Sequence, residues 1–473
     1  MFQKILIANR GEIAVRIIRA CKDLGVKSVV IYSQADEFSL HVRMADEAYV
    51  MEGDPIGVYL DMDRIISIAQ KSGAEAIHPG YGFLSENAEF AEKVQKSGIV
   101  WIGPSAEVIA KMGDKNIARA LMQANGIPVV KGTEALNHQT KEEILNYAKE
   151  IGYPVILKAS AGGGGRGIRV VREPLELWES FEACKREAKA FFGNDDVFME
   201  KFVSSPRHIE FQIIADLYGN IIHLGERDCS IQRRHQKLIE IAPSPSIDSD
   251  LRKKMGATAV AASRAVGYTN VGTVEFLLDE QNQFYFMEMN TRIQVEHGVT
   301  EEITGLDLVV RQIRIACGEI LEIEQQDVVF QGYAIEARIN AEDVNADFAP
   351  NAGKIKTYYP ALGPFVRVDS CVYKDYEIPP FYDSMLAKLI VRASSYDLAV
   401  KKLSRALSEF TIRGPKTTLP FLQKICQDSV FKHGIFDTSY LASRLHELIP
   451  QEQDDKLEEI AAIAAVLALK DQE

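Results

Sequence analysis

Residues 271–297, VGTVEFLLDEQNQFYFMEMNTRIQVEH, constrain the fold of this chain more than any other stretch. Two apolar, β-prone runs, Thr273–Leu278 and Phe284–Met289, flank the polar turn Asp279–Gln283, which is the pattern of a β-hairpin. In a hairpin centred near that turn, Glu275 and Glu288 fall opposite each other. Directly opposed carboxylates push two strands apart unless a divalent cation lies between them. Asn290, two residues past Glu288, points to the same face and offers a third oxygen. A few hard oxygen donors suit Mg²⁺ or Mn²⁺ shared with substrate phosphates. Taken alone, the two acids also fit a solvated sheet face, and the rest of the chain has to decide.

At 473 residues the chain is too long for one core and predicts roughly two to four domains. A formal net charge of −13 argues against a nucleic-acid or anionic-membrane partner. Six cysteines are scattered with no CxxC spacing, which predicts neither a zinc site nor a disulfide framework. The N-terminus MFQKILIANRGE lacks the pattern of a signal peptide. No stretch approaches the about 18 apolar residues of a membrane span. A soluble, cytoplasmic, multidomain protein is expected.

The first region alternates strand-like and helix-like runs: Lys4–Ala8, Ile13–Leu24, Ser28–Tyr32, Ala74–His78 and Ile99–Ile102. Such alternation implies a parallel sheet flanked by helices. The turn Ala8-Asn9-Arg10-Gly11-Glu12 holds one glycine rather than GxGxxG, against a dinucleotide site. A helix is expected around Ile117–Ala124, and residues from 332 onward are richer in strands, Pro and Gly. The expected class is α/β and α+β multidomain, with boundaries at 1–114, 115–330, 331–447 and a helical tail over 448–473.

Ala161–Gly167 reads AGGGGRG between the strand-like Pro154–Ala159 and Ile168–Val171. A phosphate loop of the Walker type would continue GK[ST] into a helix, and this one does not. Four consecutive glycines leave backbone N–H groups free to approach anionic oxygens and suit a closing lid. A strand lysine, Lys158, before this loop, followed by Glu275, Glu288 and Asn290, resembles the ATP-grasp superfamily. Four further stretches narrow the match: Ala8–Ala14, His78–Glu86, Ser230–Lys237 and Met287–Val299. Over roughly residues 1–447 the chain is similar to biotin carboxylases.

The resemblance implies an N-terminal parallel α/β domain, an ATP-grasp domain with a mobile lid over about 131–203, and a mixed C-terminal domain. It implies that Lys115, Lys158, Gly164 and Gly165 contact ATP phosphates, and that Glu200, Lys201 and Val203 form a hinge reading adenine. His208 and His235 would contact the nucleotide, and Ile168 and Leu277 would flank the base. Glu275, Glu288 and Asn290 would bind Mg²⁺ or Mn²⁺. Lys237, Arg292, Gln294, Val295 and Glu296 would hold bicarbonate, with Glu296 as its base. Arg338, Tyr81 and Gly82 would line the biotin pocket, with Asp383 as a supporting partner. From the residues alone, alternation over Thr291–Glu296, if extended, sets Arg292, Gln294 and Glu296 on one side. Strand Ala334–Asn340 likewise puts Glu336, Arg338 and Asn340 on one face.

The chain departs from the family pattern at several places. Gly298 stands where proline is usual, Ile293 replaces leucine, Ile241 replaces a second acid in a loop after Lys237, and Gly414–Thr418 differs from Lys-Thr-Asn. It contains no Met-Lys-Met biotin-attachment motif. Biotin is therefore expected as a substrate on a separate carrier, with a carboxyltransferase subunit as partner and a homodimer as the state of this chain. Lys456–Lys470 carries a wide apolar helical face, suited either to docking such a partner or to covering its own domain. The final acceptor is left open among pyruvate, 2-oxoglutarate, acetyl-CoA and another acyl-CoA, with a slight lean to a 2-oxo acid. The alternatives are another ligase of this superfamily, of the carbamoyl-phosphate type, or a non-catalytic ATP sensor.

Overall fold

Strands β1 (Lys4–Ile7), β2 (Lys27–Ser33), β3 (Glu47–Met51), β4 (Ala76–His78) and β5 (Val100–Trp101) form one parallel sheet, ordered β3-β2-β1-β4-β5. The architecture is that of a computed structural model, which describes residues 1–159 and 167–450. Ile5, Leu6 and Ile7 are fully buried, as a sheet covered on both faces requires. Strand β3 was not anticipated. It lies at the sheet edge with alternate residues half-buried or exposed, so its apolar signal is weak.

Helix α1 (Gly11–Asp23) follows β1 and ties the molecule together. Its Ile13, Ile17 and Ile18 share one core with Leu308, Val309 and Ile313. Arg16 Nη2 donates to Glu301 Oε1 at 2.8 Å, and Arg367 Nη1 donates to Glu301 Oε2 at 2.7 Å. Segments from all three regions meet at that buried carboxylate.

The glycine-rich unit is a hairpin, as expected. β6 (Val155–Ala159) pairs antiparallel with β7 (Ile168–Val171) and with β8 (Val197–Lys201). Ala159 N donates to Gly167 O at 2.9 Å. Gly164 and Gly165 fall in the connecting loop, outside the described residues, as does the expected helix Lys456–Lys470.

The principal sheet has eight strands. β9 (Arg207–Ala215), β10 (Ile221–Arg233), β11 (Gln236–Ala242), β12 (Asn270–Leu278), β13 (Phe284–Asn290) and β14 (Tyr333–Asn340) assemble as β13-β12-β9-β10-β11-β14. Met385–Ala393 and Val366–Ser370 extend this sheet beyond β14. The pairing of β11 with β14 therefore carries it straight across the expected boundary at residue 331.

The hairpin β12–β13 holds a detail that no simple pairing gives. Counting outward from the turn, Leu278, Leu277 and Phe276 pair with Phe284, Tyr285 and Phe286. An unbroken register would next set Glu275 against Met287. A bulge there sets it against Glu288 instead. The extra residue reverses the alternation, so Phe284 and Phe286 stay in the apolar core while Glu288 turns to the cleft.

Two expectations need correction. Thr291–Glu296 is not an extended strand: it bends at Thr291–Arg292 and turns at Val295–Glu296 to start the helix His297–Thr304. Residues 238–241 are not a loop but the middle of β11, fully inside the sheet. Ile239 and Ile241 face the apolar core with Ile335 and Leu389, and Glu240 faces the other way. No helix among the described residues is long and apolar enough to cross a membrane.

Candidate active site

Lys237, just inside β11, is the hub of the site. Its ammonium donates to Glu210 Oε2 at 2.5 Å, Glu296 Oε1 at 2.7 Å and Glu275 Oε1 at 3.1 Å. The adjoining turn Arg234-His235 has both residues at positive φ, 49° and 67°, which points the β10–β11 hairpin into the cleft. Arg338 on β14 reaches Glu296 Oε2 at 2.9 Å, so Glu296 sits between two cations. Burial alone would raise this carboxyl. The charges of Lys237, Arg338 and Arg227 outweigh burial and hold it well below the usual range.

A cleft of about 1740 Å³ runs past this cluster. Every described residue expected to bind nucleotide, metal, bicarbonate or biotin lines it. At one end Lys158 Nζ donates to Glu200 Oε2 at 2.6 Å, tying β6 to β8. The Lys201 ammonium is spent on the carbonyls of Gly152 and Tyr153, at 2.9 and 2.8 Å. Ile168, Leu277 and Val203 lie on the cleft wall, while His235 is exposed at the hairpin tip. His208 Nε2 meets Glu275 Oε2 at 2.7 Å.

Glu275 and Glu288 face each other as the metal reading requires. Burial, then the charge of Glu275, raise Glu288, and Lys115 opposes this from 3.9 Å. A carboxylate half-exposed to the cleft and held up by a neighbouring like charge is a fitting place for a divalent cation. Asn290 stands beside them, its Nδ2 on Glu275 Oε1 at 2.7 Å and its Oδ1 accepting from Arg292 Nη2 at 3.3 Å.

The bent segment after β13 still brings its polar groups together. Arg292 Nη1 donates to Gln294 Oε1 at 2.9 Å, and Gln294 Nε2 to Glu275 Oε1 at 3.1 Å. Facing them across the cleft, Tyr81 donates its hydroxyl to Glu12, and Gly82 holds a φ of +69°. Asp383 is exposed and caps the backbone of Met385 at 2.9 Å. Its neighbour Tyr382 carries the guanidinium of Arg10 3.6 Å over its ring.

Four groups in this cluster were not read from the sequence. Glu86 anchors Arg292 Nε at 2.9 Å, and Lys388 holds the Val295 carbonyl at 2.7 Å. Glu210 holds Lys237, and Arg227 holds Glu210 at 2.5 Å while bonding Gln212, Thr300 and Thr273. A usable signal existed for Glu210 and Gln212. Charged or amide residues that alternate inside HIEFQII, an otherwise apolar strand, are costly to bury without a purpose.

Comparison with known proteins fits this geometry. Residues 1–109 match the biotin carboxylase N-terminal domain family, and residues 336–443 match the biotin carboxylase C-terminal domain family. Between them, residues 114–324 match the carbamoyl-phosphate synthase L chain ATP-binding domain family. Fold and site together define an ATP-dependent ligase, and the chain belongs to the biotin carboxylase family. It is 56% identical over 442 residues to a biotin carboxylase of Nostoc sp., covering 93% of this chain and 98% of that one. It is 51% identical over 468 residues to the 2-oxoglutarate carboxylase small subunit of Hydrogenobacter thermophilus, covering 99% of each. A solved dimer of the biotin carboxylase domain of the Hydrogenobacter thermophilus 2-oxoglutarate carboxylase, with MgADP, ADP and bicarbonate, superposes with a TM-score of 0.91. That match is 51% identical and covers 96% of this chain and 100% of that one.

Proposed function

We propose that this chain carboxylates biotin on a separate carrier protein, using MgATP and bicarbonate, and feeds a carboxyltransferase subunit. The carrying observation is the placement of Glu296 between Lys237, at 2.7 Å, and Arg338, at 2.9 Å. An ionised carboxylate there can take the proton of bicarbonate while Lys237, Arg292, Gln294 and the Val295 backbone hold the anion. The bicarbonate oxygen then attacks the γ-phosphorus, ADP leaves, and carboxyphosphate forms. Lys115, Lys158 and the lid position the phosphates, and Glu200, Lys201, Val203, His208 and His235 position the nucleoside. Glu275, Glu288 and Asn290 would hold Mg²⁺ or Mn²⁺, which when bound neutralises charge on the β- and γ-phosphates. Carboxyphosphate splits to CO₂ and phosphate, the phosphate takes the N1′ proton, and N1′ attacks CO₂. Arg338 stabilises the negative ureido oxygen of biotin in the pocket of Tyr81 and Gly82.

Glu296→Ala is expected to abolish bicarbonate-dependent ADP release while nucleotide affinity stays near native. Undiminished turnover would remove the base assignment. Stimulation of ADP release by free biotin with bicarbonate, but not by ammonia, separates this reading from a carbamoyl-phosphate-type ligase. We further infer a 2-oxo acid carboxylase, because the match to the 2-oxoglutarate carboxylase small subunit runs through 99% of the chain. Identifying the biotinylated protein that co-purifies with the chain tests this, and an acetyl-CoA carboxylase carrier would overturn it. A homodimer is the inferred state, as in that solved relative. The cytoplasm is the inferred compartment, consistent with six free cysteines, five of them buried.

A further inference from the structure

Glu240 and Glu336 stand directly opposite each other where β11 pairs with β14. Both are fully buried. Among the described residues the Glu336 carboxyl has no hydrogen-bond partner. Glu240 Oε1 lies 2.6 Å from Arg338 Nη2, an ion contact outside hydrogen-bond alignment. Arg338 is shared, since the same nitrogen meets Glu296 Oε2 at 2.9 Å.

The surrounding charges do not balance two negatives here. Lys237 and Cys229 flank Glu240 on the β10–β11 side, and Lys237 is already divided among Glu210, Glu275 and Glu296. Lys388, from Met385–Ala393, faces Glu336 but donates to the Val295 carbonyl and lies 3.2 Å from Glu12. From the helix His297–Thr304, Gly298 abuts Glu336, and His297 is held neutral, pushed down to about 3 by burial and by Lys388. Tyr81 adds a phenol and no charge. Opposed buried carboxylates repel, and one proton between them removes the repulsion. Burial and the Glu296 charge push Glu240 up to about 7 against the pull of Arg338, and burial and Glu240 raise Glu336 against Lys388.

We propose that Glu240 and Glu336 are positioning residues that hold a proton between them during turnover, which leaves Arg338 free for Glu296 and for the ureido oxygen of biotin. Ionised, Glu240 would draw the guanidinium into a strong pair and compete with Glu296 for the same nitrogen. With the proton on Glu240 the remaining negative charge sits on Glu336, and Glu240 does not compete for the guanidinium. The proposal rests on the reading of Arg338 and Glu296 given above.

The test is the pH profile of bicarbonate- and biotin-dependent ADP release, together with the infrared carbonyl band of a protonated carboxyl. The native activity should fall on the alkaline side as the pair loses its proton, and the band should vanish over the same range. Glu240→Gln is neutral at every pH and should move that limb up by about one pH unit or more, or remove it. Glu336→Gln removes the charge that keeps Glu240 protonated and should move the limb down by a similar amount. Opposite shifts from two isosteric changes are not produced by a merely structural role. Shifts in one direction, no shift, or no protonated band in the native protein would overturn the proposal. Where a variant does not fold, the native infrared titration decides, and a band that titrates away from the activity limb overturns it. Arg338→Gln in the same assay tests the underlying reading separately, because biotin dependence retained there removes the role of Arg338 itself.

Discussion

Gly298 sits in the first turn of the helix His297–Thr304, and its lack of a side chain has a specific cause. A Cβ there would lie 2.4 Å from Ile390 Cδ1 on the neighbouring strand. The proline usual at this position would force that δ-methyl to shift, whereas the first turn of a helix itself accepts proline. Gly298→Ala is expected to lower stability by about 1–3 kcal/mol through overpacking. Adding Ile390→Val, which deletes that methyl, should recover most of the loss in thermal unfolding. A native-like Gly298→Ala, or no recovery in the double variant, would refute the contact. Ile241 is explained in the same way: it is fully buried beside Ile335, where a second acid would lie uncompensated. Gly414 is likewise fixed, since a Cβ would lie 2.1 Å from Lys354 O. Departures of this kind are readable as letters, but their causes are contacts between distant strands and so are invisible before folding.

At the scale of elements, periodicity located β6, β7, β12, β13 and β14 to within a few residues, because each carries a strong apolar rhythm between turn residues. The facing of Glu275 and Glu288 was legible only in outline. The bulge at Met287 that produces it leaves no mark in composition. The β10–β11 turn was equally opaque, since Arg234 and His235 occupy left-handed positions that Asn and Gly usually fill. Asp347 accepts from both Arg233 and Arg234, and Arg233 stacks on Phe348 at 4.2 Å, which holds the strained tip in place. His235→Gly should raise stability by up to about 1 kcal/mol by relieving that strain. The same variant should bind nucleotide more weakly, because His235 is placed at the cleft. Calorimetric melting and titration check both signs, and a stability unchanged or lowered would show the turn to be unstrained.

For the whole molecule, one sheet runs across the expected boundary at residue 331. The sheet that begins with β13 ends with Val366–Ser370, and Arg16, Glu301 and Arg367 join three regions at one buried carboxylate. A chain cut to residues 1–330 would leave the edge of β11 bare, with Leu238, Ile239 and Ile241 exposed. That fragment is expected to aggregate or to melt without a sharp transition in scanning calorimetry. A soluble fragment with native-like cooperativity would show that the shared sheet is not needed. The strand pair has a further consequence for how such proteins can be recombined. Glu240 and Arg338 are in ion contact but are written far apart, on either side of the most inviting place to join two parents. A hybrid spliced there would inherit each half of the charge cluster from a different ancestor. The region behaves as one indivisible heirloom, and shuffling that respects it must join outside β11 through Met385–Ala393.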